Sequence, residues 1–162
     1  GQHTRGSRRM SSIINADTSD GLKITSDTSG QIDFQSAGST KATIDTAGNL
    51  KFDSGYGSVA TAYGCRAWVN FDGTGTVAIR ESGNVSSITD NGTGDYTVNF
   101  TTAMVDTNYA ASSLCGYSDT GNPYRYATAD SWNTSYLRVN VFYNNGGQTK
   151  YDAGFVTVSI FR

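Results

Sequence analysis

Apolar residues along this chain recur at every second position, in short runs broken by glycine, asparagine and aspartate. Ala67, Val69 and Phe71 alternate with polar neighbours in CRAWVNFDGTGTVAIR, a DGTG turn follows, and Val77 and Ile79 resume the alternation. Period-two runs joined by glycine-containing turns predict antiparallel hairpins, because successive side chains of a strand face opposite sides. GNVSSITDNGTGDYTVNF repeats the scheme, with Val85 and Ile88 before a DNGTGD turn and Tyr96, Val98 and Phe100 after it. TNYAASSLCGY predicts a further strand. SYLRVNVFYNNGGQTKYDAGFVTVSIF closes the chain with Leu137, Val139, Val141 and Tyr143, an NNGG turn, then Val156, Val158 and Ile160. Strands at spacings of about 8–12 residues with turns between them predict an antiparallel β-sandwich, jelly-roll-like, over residues 58–162.

Upstream the pattern thins. Between residues 21 and 57 the apolar positions are Leu22, Ile24, Ile32, Phe34, Ile44, Leu50 and Phe52, punctuated by Gly21, Gly30, Gly38, Gly48 and Gly55. Ordering a residue costs about 1–2 kcal/mol of backbone entropy. Seven medium side chains at roughly 1.5–3 kcal/mol each do not offset that over such a stretch. Three copies wound about one axis would, so the segment reads as a trimeric β-stem. A flexible Ser/Thr/Gly linker is the alternative, but it leaves the Ile-x-Phe spacing unexplained. Residues 10–20 carry one apolar pair, Ile13 and Ile14, and read as an N-terminal anchor segment. Residues 1–9 are basic without an apolar stretch and read as a leader or cloning remnant ahead of Met10.

Composition supports the all-β reading. Of 14 acidic residues only Glu81 is glutamate, and leucine occurs only at 22, 50, 114 and 137, so strong helix formers are scarce. A net charge of −2 gives no basic surface for nucleic acid or an anionic membrane. No apolar run approaches the roughly 20 residues of a membrane-spanning helix. Cys65 and Cys115 do not match a zinc spacing and read as two buried free thiols, with a single disulfide as the alternative.

Catalytic chemistry finds little to work with. The one histidine, His3, lies in the leader segment, which removes Ser-His-Asp and Cys-His arrangements. Glu81 would need Asp72 or Asp90 beside it for glycoside hydrolysis. Most aspartates neighbour Gly, Asn or Thr, where aspartate forms turns. Asp90, Asn91 and Asp95 cluster oxygen ligands, yet an Asx turn accounts for them, and neither metal nor cofactor is expected. Recognition has more material. GYSDTGNPYRYATADSWNTSY reads as a long loop carrying Tyr117, Asp119, Asn122, Tyr124, Arg125, Tyr126, Asp130, Trp132 and Asn133. Aromatic rings stack on the apolar faces of sugars while Asp, Asn and Arg fix hydroxyl directions. Trp68, by contrast, reads as a packing or subunit contact.

SSIINADTSDGLKITSDTSGQIDFQSAGSTKATID resembles the N-terminal segment of short tail-fibre-type structural proteins of marine bacteriophages, including those of cyanobacteria. AYGCRAWVNFDGTGTVAIRESGNVSSITDNGTGDYTVNFTTAMVDTNYA resembles the C-terminal module of the same proteins. Together the two stretches cover about half to two-thirds of the chain. The resemblance implies a homotrimeric virion appendage with a β-rich stem and a distal β-sandwich that recognises a glycan or protein of the host surface. It carries no catalytic residue onto this sequence, and residues 117–136 show no matching pattern, as a variable recognition loop would. On this reading Ile13 and Ile14 attach the appendage to other virion proteins. The alternative is a purely structural virion protein, a capsid decoration or fibre joint. A glycan depolymerase ranks below both.

Overall fold

The computed structural model describes residues 29–116, 125–144 and 147–162. Leu22, Ile24, Ile13 and Ile14 lie outside them. The described residues are all-β, without a helix, and every strand pairing is antiparallel. The chain divides into two compact units, Gly1–Ala62 and Tyr63–Arg162. The division falls five residues beyond the 57/58 boundary read from the sequence, because β4 (Ala60–Thr61) still pairs with the preceding strand.

The first unit holds one sheet in the order β1-β2-β3-β4, with β1 at Ile32–Ser36, β2 at Ser39–Ile44 and β3 at Leu50–Phe52. Its register pairs Ile32 with Ile44, Phe34 with Ala42, Ala42 with Phe52, Ile44 with Leu50 and Phe52 with Ala60. Directly paired residues share a face, so these seven apolar side chains line one side of the sheet. The other side carries Asp33, Thr43 and Lys51. There Thr43 Oγ1 donates to Asp33 Oδ1 at 2.7 Å, and Lys51 pairs with Asp45 at 2.9 Å. On the apolar side Phe34, Leu50 and Phe52 are 45%, 47% and 43% exposed. The unit buries no large apolar side chain among its described residues; its one buried residue is Thr43.

The second unit is two stacked antiparallel sheets. One has the order β6-β5-β13-β9: Ala78–Gly83, Cys65–Asp72, Phe155–Phe161 and Ala110–Gly116. The other has the order β10-β11-β8-β7: Arg125–Trp132, Tyr136–Asn144, Asp95–Phe100 and Val85–Gly92. A short β12, Gln148–Lys150, pairs the far end of β11. The alternation predicted from the sequence sets the core. Ala67, Val69 and Phe71 meet Val156, Val158 and Ile160 within the first sheet, and Tyr96, Val98, Leu137, Val139 and Val141 face them from the second. Phe71 meets Tyr96 edge-on across the layers, with centroids 5.1 Å apart. A single residue, Asn84, carries the chain from one sheet to the other. It adopts φ +55°, which asparagine tolerates. Its amide holds the corner by donating to the carbonyls of Arg66 and Thr102, both at 3.1 Å.

Two expectations change, and Trp68, read as a packing or subunit contact, is placed against Gly83. Residues 125–132 form strand β10 rather than a loop, since Ala127 and Ala129 alternate with polar residues and pack against the core. That apolar period is carried by alanines, which aromatic and polar neighbours outweigh in the sequence. Cys65 is exposed and Cys115 partly buried rather than both buried, and both are free thiols. They flank opposite ends of β13, where Cys65 pairs with Phe161 and Cys115 with Val156. Trp68 sits on the outer face of its sheet, its indole lying over Gly83. A Cβ at Gly83 would come within 2.5 Å of Trp68 Nε1, so a side chain there would displace the ring.

Candidate functional site

The outer face of the β10-β11-β8-β7 sheet is mostly polar, apart from Tyr126 and Phe142. Register places Ser87 and Thr89 of β7, Thr97 and Asn99 of β8, Tyr136, Arg138, Asn140 and Phe142 of β11, and Tyr126, Thr128 and Ser131 of β10 on that side. A cleft of about 420 Å³ crosses the four strands, lined by Thr89, Asn91, Thr97, Asn99, Ser131, Tyr136 and Arg138. With strands roughly 4.8 Å apart, it spans about 14 Å between the outer two.

The lining is held in place by its own hydrogen bonds. Asn99 Nδ2 donates to Ser87 Oγ at 3.1 Å and Thr89 Oγ1 at 2.9 Å; Asn91 Nδ2 donates to Thr97 Oγ1 at 2.9 Å. One end of the cleft is fixed by an ion cluster. Asp95, buried, accepts from Arg138 Nε at 2.7 Å and Nη2 at 2.6 Å, and from Lys150 Nζ at 2.5 Å. The Arg138 guanidinium holds the Asp95 carboxyl well below the usual carboxylate range, against the opposing effect of burial. Asp95 in turn raises Arg138. A second carboxylate, Asp130, accepts from Asn140 Nδ2 at 2.5 Å. Both cations pair with Asp95, the charge of Asp130 also acts on Arg138, and the four formal charges sum to zero.

Gly94 sets the geometry where β8 and β12 meet the flank of β11. It has φ +61°, and a Cβ there would fall 2.5 Å from both Tyr151 N and Val141 O. Its N–H donates to Asp152 Oδ1 at 2.7 Å, and its carbonyl accepts from Val141 N at 2.8 Å.

The residues read from the sequence as ligand contacts separate. Tyr126 and Asp130 lie on the outer face, Tyr126 stacked on Phe142 with centroids 5.3 Å apart. Arg125 and Trp132 point to the opposite, core-facing side of β10, paired with Tyr143 and Leu137; the Arg125 guanidinium lies 4.9 Å from the Tyr151 ring centroid. Asn133 is taken up by the β10–β11 turn, where its N–H donates to Tyr136 O and its Oδ1 accepts from Ser135 N, both at 3.0 Å. Tyr117, Asp119, Asn122 and Tyr124 lie outside the described residues. Asp90 makes the Asx turn expected of it, with Oδ1 accepting from Gly92 N at 2.9 Å. Asp72, a conceivable partner for Glu81, is held by Thr74 and Arg80.

Thr89, Thr97, Asn99 and Arg138 were missed as site residues because they occupy the polar half of ordinary strand alternation. The available signal was their identity. An outward strand face written in Thr, Asn and Ser, rather than Lys and Glu, presents short hydroxyls and amides at fixed positions.

A second cavity of about 400 Å³, lined by Arg66, Asn84, Met104, Val105 and Arg162, has a partly apolar floor. Its Arg162 is engaged by Asp106 and the Asn108 carbonyl. Compared with known proteins, the chain matches no family model, no curated protein and no solved structure.

Proposed function

We propose that the chain is a non-enzymatic bacteriophage virion appendage, a tail fibre or fibre tip. In this reading the first unit is a trimeric β-stem. The second is a jelly-roll-like head, in the sense of a double antiparallel sheet, that binds a glycan of the bacterial surface. The observation that carries it is the first unit's exposed apolar face. Ile32, Phe34, Ile44, Leu50 and Phe52 share one side of a single sheet that buries no large apolar side chain of its own. A sheet with one apolar face needs a second layer for stability. Further copies of the same face supply that layer without any charge to be matched. The head supplies a rigid platform with a cleft of hydrogen-bonding groups, as binding sites require.

Size exclusion with light scattering on the full chain at micromolar concentration is expected to give about three times the 17.2 kDa of one chain. A clean monomer would remove the stem and with it the appendage reading. Adsorption of labelled trimer to marine bacteria, cyanobacteria included, tests the head. A trimer that leaves every cell type bare would make the chain a purely structural virion component.

A further inference from the structure

We propose that the receptor site of the head is the cleft across β7, β8, β11 and β10, and that its ligand is an uncharged, hydroxyl-rich oligosaccharide. The inference rests on the reading of the head as a surface-binding domain and moves the site from the predicted loop to the sheet face.

Four properties of the cleft select this chemistry. The first is the donor and acceptor type of its lining. Thr89, Thr97 and Ser131 offer hydroxyls, which both donate and accept, and the Asn91 and Asn99 amides add carbonyl oxygens. The amide nitrogens already serve neighbouring side chains, so the oxygens remain to accept from a ligand. Sugar hydroxyls have the same double character. The second is charge. Arg138 is the cleft's one cationic side chain, and Asp95 holds it through two hydrogen bonds. With Lys150 and Asp130 the cluster sums to zero, so a phosphate backbone or polyanionic polymer finds no attractive field. The third is the Tyr136 ring in the lining, a surface on which the apolar face of a pyranose can lie. An apolar peptide anchor has no comparable pocket, because the rest of the lining is hydroxyl, amide or guanidinium. The fourth is extent. A span of about 14 Å across four strands suits several linked sugar units and exceeds one. The internal hydrogen bonds of the lining keep its side chains in place before a ligand arrives, which lowers the ordering cost of binding.

The test is an array of neutral oligosaccharides (cello-, laminari-, manno- and chitotriose among them) beside acidic ones such as trigalacturonate and sulfated trisaccharides, probed with the full chain. Binding is expected only among neutral members. Ser131→Trp, which fills the cleft from an edge strand, should abolish it, and Tyr136→Ala should weaken it roughly tenfold, the size of one lost aromatic contact. Thr157→Trp, on the outer face of the other sheet, should leave binding unchanged, and circular dichroism identifies any variant that fails to fold. Binding confined to acidic members, or full binding by folded Ser131→Trp, would overturn the assignment. Adsorption to cells without binding to any glycan would also overturn it and leave the appendage reading standing. Loss of both would remove the two together.

Discussion

Asp95 is the residue on which most of the candidate site depends. It is buried and receives three charged hydrogen bonds, two from Arg138 and one from Lys150. Its folded pKa lies below that of an unfolded aspartate, near 3.9. A depressed carboxyl stabilises the fold fully above the unfolded value, and that contribution fades as pH falls through the folded one. Asp95→Asn removes the charge while keeping the shape. It should cost about 1–3 kcal/mol at pH 7, since two cations lose their partner. The gap in Tm between the native chain and the variant should be constant above about pH 5 and close progressively below pH 4. Thermal unfolding followed by circular dichroism from pH 2 to 8 measures it. A gap that does not change with pH would show that the cost comes from packing and not from the charge. None of this was legible in the sequence. Asp95 sits 43 positions from Arg138 and 55 from Lys150, and only strand register brings the three together.

At the scale of elements, the period-two reading carried most of the second unit. The predicted inward residues of four strands, Phe71, Tyr96, Val98, Leu137, Val139, Val156 and Ile160 among them, lie in the buried core. The reading failed at β10, where alanines supply the inward positions and Tyr, Asp and Trp dominate the eye, and at β12, three polar residues that bury nothing. In the first unit the sequence marked the apolar residues. That they share one face was fixed by the turns that set register. Ala37 and Gly38, both at positive φ, close a two-residue hairpin that places Phe34 beside Ala42. This geometry makes a directional prediction. Phe34→Ser with Phe52→Ser should convert the proposed trimer to monomer, because it removes two exposed rings from the apolar face. Thr40→Ala with Lys41→Ala, at the polar side and its rim, should leave the trimer intact. Light scattering of both double variants decides between them, and a trimer that survives the first would place the contact elsewhere.

At the scale of the whole molecule, the two units divide the work of stability. Every buried apolar side chain among the described residues lies between Ala67 and Ile160, inside the second unit. A fragment of residues 63–162 therefore holds every buried apolar side chain found among the described residues and should fold cooperatively as a monomer. The cleft is contained within it, so the fragment should bind a neutral oligosaccharide in solution as tightly as the full chain does, site for site. The two should part on a surface. Shallow hydroxyl-lined clefts trade hydrogen bonds with water for hydrogen bonds with sugar and so gain little per site. In the proposed trimer, three clefts on one stem would convert the second and third contacts into intramolecular events and raise apparent affinity by about 10²–10⁴ without any new interaction. On an immobilised polysaccharide the full chain should dissociate at least a hundredfold more slowly than the fragment, and Phe34→Ser with Phe52→Ser should bring it down to the fragment's rate. Surface plasmon resonance at several ligand densities separates the effects. An avidity gain shrinks as sites are spaced apart, whereas a gain from contacts made by the first unit itself does not. A slow rate that persists at the lowest density would mean that the first unit touches the ligand, and that the stem does more than set the number of heads.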